Sequence, residues 1–285
     1  MINFQISESV IFTLLFKNGG RGGIRTHGPL PAYSFQDCRN RPLYHSSGLI
    51  NKIMPNFRSY YHHYANQSLK WLPNDTEQLY KRNLKRRHDE LKKYGWIDAD
   101  FTYDFNSYGF RSSEFTADPT VMFLGCSNTI GIGMPNDLIW PTFVSQKLHM
   151  RSANLGIGGS GPDTAFRMCL GYIDKINPKI VVHMLNPGIR FELVDKKDID
   201  LVSCYSDVQT KLYEELFVDD NNYFFNLQKN TLAIKMLCAE RNIKFIQMLS
   251  DDAFVGVDEI TRARDLTHPG INEQKIAAEK ILSKL

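Results

Sequence analysis

Four short apolar runs in the second half of the chain predict the strands of a sheet that is covered on both faces. Thr120–Leu124 and Ile180–Leu185 are almost wholly apolar, and each ends at a turn that contains glycine. Ala153–Ile157 and Ile243–Leu249 are more mixed runs of the same kind. A strand buried on both faces shows such a run rather than a strict alternation of apolar and polar residues. The pattern therefore favours a parallel sheet.

Between these runs, apolar residues recur at the spacing of a helix. The predicted helices are Trp140–His149, one that begins at Gly161-Pro162-Asp163, Asn230–Arg241 and Asn272–Leu285. An alternation of strands and helices is typical of a parallel sheet with helices on both faces. We therefore expect residues 119–285 to form a three-layer α/β domain with four or five parallel strands.

Residues 54–118 predict a shorter helical and β segment ahead of that domain. Asp75–Tyr94 carries its apolar residues on one stripe and is expected to form a helix, with Asp75 as the N-cap. Aromatic and polar residues alternate over 101–105, which predicts a strand. Arg111 follows the next turn and could bind a carboxylate, although the sequence reveals no partner. We expect this segment to pack on the main domain.

Residues 1–53 differ from the rest of the chain in composition. They contain six of the 34 Lys and Arg but two of the 31 Asp and Glu, which leaves 28 basic and 29 acidic residues elsewhere. Asn18–Ser47 is rich in Gly, Pro and Arg and has no period, so burial could not offset the entropy of ordering it. We expect a disordered or spurious extension. The stretch also resembles the product of a translated transfer-RNA gene, which implies a start at Met54; a flexible basic extension and an RGG-type RNA-binding arm are the alternatives.

The overall composition is that of an ordinary globular protein, with 42% hydrophobic and 23% charged residues in 285. It excludes collagen-like, disordered and disulfide-rich classes. The nearly neutral charge after residue 53 argues against a nucleic-acid partner, and no run reaches the roughly 18 apolar residues of a membrane span. We expect no signal peptide, and the five cysteines are scattered without a CxxC pair. We expect a cytoplasmic or virion-associated protein with reduced thiols and no metal site.

Candidate chemical groups follow the predicted strands. Ligands of open α/β sheets bind beyond the carboxyl ends of the strands, so we expect the residues there to converge. These residues are Ser127 after the first strand, Gly158 and Gly159 after the second, Asn186 after the third, and Asp265 and His268 ahead of the last helix. Acyl transfer requires such a set: a hydroxyl nucleophile, an imidazole base, a carboxylate that orients the base, and donors for the oxyanion.

In this order, the residues resemble the motif blocks of the SGNH (GDSL-type) hydrolase family. Gly125-Cys126-Ser127 corresponds to the GDS block, and Asn154–Gly159 corresponds to the glycine block. Asp265 and His268 match the DxxH block in full, whereas the asparagine block is matched only at Asn186.

The resemblance covers roughly residues 119–285 and implies a flavodoxin-like fold, an esterase activity and no cofactor. It assigns the nucleophile to Ser127, the general base to His268 and the carboxylate that orients this base to Asp265. The oxyanion donors that it implies are the N–H of Ser127, the N–H of Gly158 with Gly159 close behind, and the side chain of Asn186.

Two departures from the family pattern leave alternatives open. Cys126 replaces the usual aspartate of the GDS block, so a thiolate at Cys126 is an alternative nucleophile to Ser127. Pro187 and Gly188 depart from the asparagine block, and losing one oxyanion donor can lower a rate by about 100- to 1000-fold.

We therefore expect a serine esterase whose substrate is an acylated carbohydrate or a small ester, from which it removes an acetyl group. The alternative belongs to a different class. It is a catalytically weak or inactive binding or structural protein, of viral origin, that uses the same pocket.

Overall fold

The computed structural model describes residues 58–185, 190–194, 199–202 and 220–285. All of them belong to Lys52–Leu285, one of the two units into which the chain divides. The expected extension over 1–53, the start expected at Met54 and the candidate oxyanion residue Asn186 lie outside the described residues.

The described elements begin with a 3₁₀ turn at His62–Tyr64 and continue with strands and helices. The strands are β1 (Ser68–Leu69), β2 (Tyr103–Asp104), β3 (Thr120–Leu124), β4 (Arg151–Asn154), β5 (Ile180–Leu185), β6 (Phe191–Val194), β7 (Ile199–Val202) and β8 (Lys244–Leu249). The helices are α1 (Glu77–Arg86), α2 (His88–Lys93), α3 (Ser127–Ile130), α4 (Trp140–Lys147), α5 (Pro162–Ile176), α6 (Asp220–Glu240), α7 (Ser250–Ala253) and α8 (Ile271–Leu282). A further 3₁₀ turn spans Asn136–Leu138.

Four parallel strands form the central sheet, in the order β4-β3-β5-β8. In chain order this is 2-1-3-4, the arrangement of the first four strands in a flavodoxin-like sheet. Phe123 lies between Asn154 of β4 and Val182 of β5, which fixes the register of the central strand on both sides. The α/β fold with a parallel sheet of four strands, expected from the apolar runs, is confirmed.

Helices cover both faces of the sheet, which explains why its central strands are apolar throughout. Val121 and Phe123 pack on one face with residues of α4 and α8, including Trp140. Met122 and Leu124 point to the opposite face, where they meet α5 and α6. Side chains alternate between the two faces of a strand, so a strand with both faces covered needs apolar residues at every position. The result is a three-layer domain.

The bounds of the central strands agree with the apolar runs, and the outer elements differ from the predicted ones. β4 covers Arg151–Asn154 rather than Ala153–Ile157. Beyond it the N–H of Leu155 still donates to Phe123 O at 2.9 Å, so the chain follows β3 after the regular pairing has ended. α6 begins at Asp220, ten residues before the predicted helix.

The segment before β3 forms two helices where one was predicted. α1 and α2 meet at Arg87, whose backbone leaves the helical region at φ −137° and ψ 35°. The cap also differs from the prediction, because the Thr76 hydroxyl accepts the N–H of Leu79 at 3.1 Å. Asp75 is buried and pairs with Arg264 instead of capping the helix. The strand predicted over 101–105 is reduced to the two residues of β2, which pair with β1.

Asp75 forms a fully buried ion pair with Arg264. The guanidinium donates from Nη2 to Asp75 Oδ2 at 2.7 Å, and from Nε to both carboxylate oxygens at 3.2 Å. It packs on two aromatic rings, 4.2 Å from the centroid of Trp71 and 3.9 Å from that of Phe101. The hydroxyl of Tyr103 donates to Asp75 Oδ2 at 2.5 Å. This network joins the segment before β3 to the loop before α8.

His183 lies in the middle of β5 and is completely buried. Neither ring nitrogen has a hydrogen-bond partner among the described residues. Burial lowers the pKa of His183 to about 3, so its ring is neutral at physiological pH. The side chain is part of the core.

Within the described part of the chain, no helix is long and apolar enough to cross a membrane.

We predict that Asp75→Ala lowers the free energy of unfolding by about 3 to 5 kcal/mol, because it leaves the buried charge of Arg264 unpaired. Urea unfolding measures this loss. Asp100→Ala is the matched control, since Asp100 pairs with Lys70 at 2.8 Å on the surface, where both side chains are exposed. The control should lose far less stability. Equal losses in the two variants would contradict the role given to the buried pair.

We also predict that His183 makes the protein less stable in mild acid. The unfolded chain binds a proton at His183 below pH about 6.5, whereas the folded protein resists protonation down to about pH 3. The free energy of unfolding should therefore fall between these values, with this residue contributing up to about 1.4 kcal/mol per pH unit. His183→Leu should remove that contribution in urea unfolding series at pH 7, 6 and 5. The same pH dependence in the variant would refute this account.

Candidate active site

The serine loop, residues 125–134, begins where β3 ends at the carboxyl edge of the sheet. The next two strands along the chain, β4 and β5, lie on opposite sides of β3. Open α/β sheets bind ligands at such a switch point. A Cβ on Gly125 would lie 2.1 Å from Thr129 Oγ1, so only glycine allows the loop to turn this tightly.

Ser127 is the first residue of α3, and its side chain is half-buried. Its hydroxyl donates to Cys126 Sγ at 3.9 Å. Among the described residues, no hydrogen bond joins Ser127 to His268. A thiol sulfur is a weak acceptor, so the Ser127 hydroxyl can turn to a stronger one at little energetic cost.

Arg111 holds the end of the serine loop. Its buried guanidinium donates to the carbonyl oxygens of Ile130 at 3.0 Å, Gly131 at 2.8 Å and Met134 at 2.8 Å. It lies 4.4 Å from the ring centroid of Tyr103. The expectation that Arg111 binds a carboxylate is therefore wrong, because its two terminal nitrogens donate to backbone carbonyls instead. Burial lowers the pKa of Arg111 to about 10, which leaves it charged at neutral pH.

The glycine loop, residues 155–161, follows β4 and packs against the serine loop. Asn154 links the two loops, because its Nδ2 donates to Thr129 O at 2.7 Å and its Oδ1 accepts the N–H of Gly156 at 3.0 Å. A Cβ on Gly156 would lie 2.5 Å from Ile130 N. The hydroxyl of Ser160 donates to Gly125 O at 3.3 Å. These contacts bring the predicted glycine residues beside the start of the serine loop.

The two candidate glycine donors differ in their surroundings. The N–H of Gly158 donates to the hydroxyl of Tyr61 at 3.1 Å. Gly159, at φ +75°, has open space where a Cβ would project. The predicted donor at Gly158 is therefore already paired with a side chain from the segment before β3.

Asp265 and His268 form a hydrogen-bonded turn. Asp265 Oδ2 lies 2.5 Å from His268 Nδ1 and accepts the hydroxyl of Thr267 at 2.5 Å. Its Oδ1 accepts the backbone N–H groups of Thr267 and His268, each at 3.1 Å. Leu266 adopts φ +59°, a left-handed conformation that lets the turn fold back on the carboxylate. The three-residue spacing thus places both side chains on one turn.

The partners of Asp265 keep it ionised. Burial alone would raise the pKa of this carboxyl group, but the hydrogen bond and charge of His268 act against burial, as do the hydrogen bond from Thr267 and the backbone N–H of His268. Together they lower the pKa of Asp265 below its ordinary value. The side chain of Asp265 is fully buried, whereas that of His268 is 17% exposed. An ionised carboxylate thus orients an imidazole whose other nitrogen can face a substrate.

The Asp–His turn, residues 265–268, is attached to the serine loop through Gly133. The N–H of Arg264 donates to Gly133 O at 3.0 Å, and a Cβ on Gly133 would lie 2.8 Å from Ala263 Cβ. The N–H of Gly133 donates to the hydroxyl of Tyr103 at 2.8 Å. A contact between the carbonyl of Asp265 and Nδ2 of Asn83, at 3.4 Å, adds a second link to the segment before β3.

The structure therefore joins Asp265 to His268 and attaches their turn to the loop of Ser127. Tyr61 lies near this site and was not predicted from the sequence. The only signal in the sequence is that it belongs to a short run of tyrosines, with Tyr60 and Tyr64. In the described part of the chain, no group of three or more His, Cys, Asp or Glu side chains could hold a metal ion.

Comparison with known proteins finds similarity in structure alone. No protein-family model and no curated protein sequence matches the chain. A lipolytic protein of the G-D-S-L family from Desulfitobacterium hafniense DCB-2 is 13% identical, with a TM-score of 0.34; the match covers 58% of this chain and 99% of that one.

Two esterases of known structure are similar to the same degree. The acetyl xylan esterase AlAXEase is 16% identical with a TM-score of 0.33, over 58% of this chain and 99% of its own. The psychrotrophic esterase EstA from Pseudoalteromonas sp. is 14% identical with a TM-score of 0.33, over 59% of this chain and 98% of its own. The site described above rests on the contacts within this chain and not on these similarities.

We predict that Asp265→Asn lowers the free energy of unfolding by about 1 to 3 kcal/mol at pH 7, because it removes charge-assisted hydrogen bonds. Since the pKa of Asp265 is lowered on folding, this stabilisation is fully present above pH about 4 and is lost as the pH falls further. Urea unfolding at pH 7 and pH 3 should show the difference between wild type and variant shrinking in acid. Asp251→Asn, at an exposed position of α7, is the control. A difference that stays constant down to pH 3 would contradict the prediction.

Proposed function

We propose that this protein is a serine acyl hydrolase that cleaves esters through Ser127, His268 and Asp265. The hydrogen bond of 2.5 Å between Asp265 Oδ2 and His268 Nδ1 carries the proposal, because it is the arrangement that a general base requires. The attachment of this turn to the serine loop through Gly133 supports the inclusion of Ser127.

The proposed reaction has two halves. In the first, Ser127 Oγ attacks the ester carbonyl carbon while His268 Nε2 takes the hydroxyl proton, and the carbonyl π electrons move to oxygen. Collapse of this tetrahedral species breaks the bond to the alcohol, which receives the proton from His268. In the second half, water attacks the acyl-serine with His268 again as base, and Ser127 leaves with the proton. For the first step, the Ser127 hydroxyl must turn from Cys126 towards His268.

Asp265 has an orienting role in this scheme. With its ionised oxygen at Nδ1, the proton of the neutral imidazole is held on that nitrogen, and the lone pair of Nε2 is available to Ser127. The same carboxylate stabilises the imidazolium that forms as the proton is transferred. The backbone N–H groups of Thr267 and His268 fix the carboxylate itself.

The oxyanion requires donors at the start of α3 and in the loops beside it. The N–H of Ser127 is one candidate, since the first N–H groups of a helix have no acceptor within that helix. The side chain of Asn186 and the N–H groups of Gly158 and Gly159 are the others that the sequence pattern indicates. Each effective donor contributes about 100- to 1000-fold in rate.

We propose an ester with a small acyl group, such as acetyl, on a carbohydrate or another small alcohol. The close approach of Tyr61 to Gly158 supports a small acyl group, because the hydroxyl would lie 2.7 Å from a Cβ at Gly158 and thus fills the space beside that residue. The exposed edge of His268 leaves room for an alcohol.

The decisive measurement is hydrolysis of p-nitrophenyl acetate. Ser127→Ala should lower kcat by about 10⁴-fold or more, since the nucleophile is lost. The control is Ser283→Ala, an exposed serine after α8, which should retain full activity. A fluorophosphonate probe should label Ser127 in wild type and in the control, and no residue in Ser127→Ala.

Other outcomes have definite meanings. If Ser127→Ala retains activity and iodoacetamide abolishes it, Cys126 is the nucleophile and the proposed assignment is wrong. If wild type neither hydrolyses the ester nor reacts with the probe, the noncatalytic alternative replaces the proposed function.

A further inference from the structure

Tyr61 places a hydroxyl group at the candidate oxyanion site. It precedes the 3₁₀ turn at His62–Tyr64, and its ring packs against Tyr64 at 5.8 Å and Phe105 at 5.8 Å between centroids. The side chain is buried, with 4% of the residue exposed. Its hydroxyl reaches the glycine loop, where it accepts the N–H of Gly158 at 3.1 Å.

The hydroxyl of Tyr61 has a proton to donate. Burial raises the pKa of Tyr61 well above its usual range; the N–H of Gly158 acts in the opposite direction, and neighbouring groups, Cys126 among them, raise it further. The group is therefore protonated at any pH at which the protein would act. In the described part of the chain, this hydroxyl accepts the N–H of Gly158 and has no acceptor for its own proton. A buried hydroxyl with an uncommitted proton is suited to receive an acceptor from outside.

The position of the hydroxyl makes that acceptor a substrate oxygen. Tyr61 contacts the glycine loop directly, and Asn154 and Ser160 join that loop to the serine loop. The hydroxyl thus contacts the loop that carries the expected oxyanion donor, and that loop packs against the loop that carries the nucleophile. An ester carbonyl attacked by Ser127 would place its oxygen in this region.

We propose that Tyr61 is a catalytic residue that donates its O–H to the oxyanion, while the N–H of Gly158 polarises that hydroxyl instead of binding the oxyanion itself. This inference rests on the proposed function and revises the role of Gly158 within it. A chain of two hydrogen bonds, from Gly158 N–H to Tyr61 Oη and from Tyr61 O–H to the oxyanion, strengthens each of its members. It also supplies a side-chain donor from outside the family motif blocks.

Tyr61→Phe tests the proposal, because it removes the hydroxyl and retains the packed ring. We expect kcat for p-nitrophenyl acetate to fall by about 100- to 1000-fold with little change in KM, since the lost bond forms mainly in the transition state. Tyr64→Phe is the control, as it makes the same change three residues away in the same aromatic cluster. It should leave kcat unchanged, and thermal unfolding should show that both variants fold.

A comparison with the thionoester analogue separates an oxyanion donor from a structural residue. Sulfur is a poor hydrogen-bond acceptor, so wild type should hydrolyse O-(4-nitrophenyl) thionoacetate much more slowly than the oxygen ester. Tyr61→Phe should reduce this preference for oxygen, whereas a residue that only supports the fold would lower both rates and leave their ratio unchanged.

Each outcome decides the proposal. A Tyr61→Phe variant with wild-type kcat and oxygen preference overturns it and leaves the proposed function intact. A faster variant also overturns it, because it would show that Tyr61 blocks the N–H of Gly158. Absence of Ser127-dependent hydrolysis in wild type refutes the proposed function itself, and with it the role of Tyr61.

Discussion

The ion pair between Asp75 and Arg264 connects parts of the chain that are 189 residues apart, and the geometry of the candidate site depends on it. Arg264 directly precedes the Asp–His turn, so its buried guanidinium fixes where that turn begins. Asp75 also accepts the hydroxyl of Tyr103, which in turn accepts the N–H of Gly133 in the serine loop. One carboxylate therefore determines the positions of both loops that carry the proposed triad. Because desolvating two charges is costly, loss of either partner would leave a buried charge unpaired.

Sequence patterns predicted those features that depend on local order. β3 and β5 were predicted with their observed bounds, because burial on both faces requires unbroken apolar runs. Asp265 and His268 could be paired because a three-residue spacing within one turn brings them together whatever surrounds them. The partners of Arg111 and Tyr61 could not be predicted. Arg111 binds backbone carbonyls, and every residue has a carbonyl, so the sequence does not show which ones it binds. The hydroxyl of Tyr61 accepts a backbone N–H from a residue 97 positions away. The cap of the helix predicted over Asp75–Tyr94 was wrong for a related reason. Asp75, the expected N-cap, instead pairs with Arg264, which is 189 residues away.

Two polar groups of the proposed site have partners within the protein. The Ser127 hydroxyl donates to a sulfur at 3.9 Å, and the N–H of Gly158 donates to Tyr61 at 3.1 Å. A substrate that binds there exchanges the weaker of these bonds for a stronger one, which limits the desolvation penalty of binding. Arg111 and Asn154 meanwhile hold the backbone of the serine loop from two sides. The backbone of the loop is thus held by strong hydrogen bonds, whereas the reacting hydroxyl has only a weak acceptor.

The two residues of the buried ion pair are synthesised at different times, because 189 residues separate them. A ribosome adds about 5 to 20 residues per second, so Arg264 emerges roughly 10 to 40 s after Asp75. The indole of Trp96 donates to Arg262 O at 2.6 Å, and this partner is synthesised 166 residues later. Throughout that interval Asp75 and the aromatic rings that pack against Arg264 lack that partner. Such a chain offers a binding surface for chaperones, and slowing translation would prolong its exposure to aggregation and proteolysis.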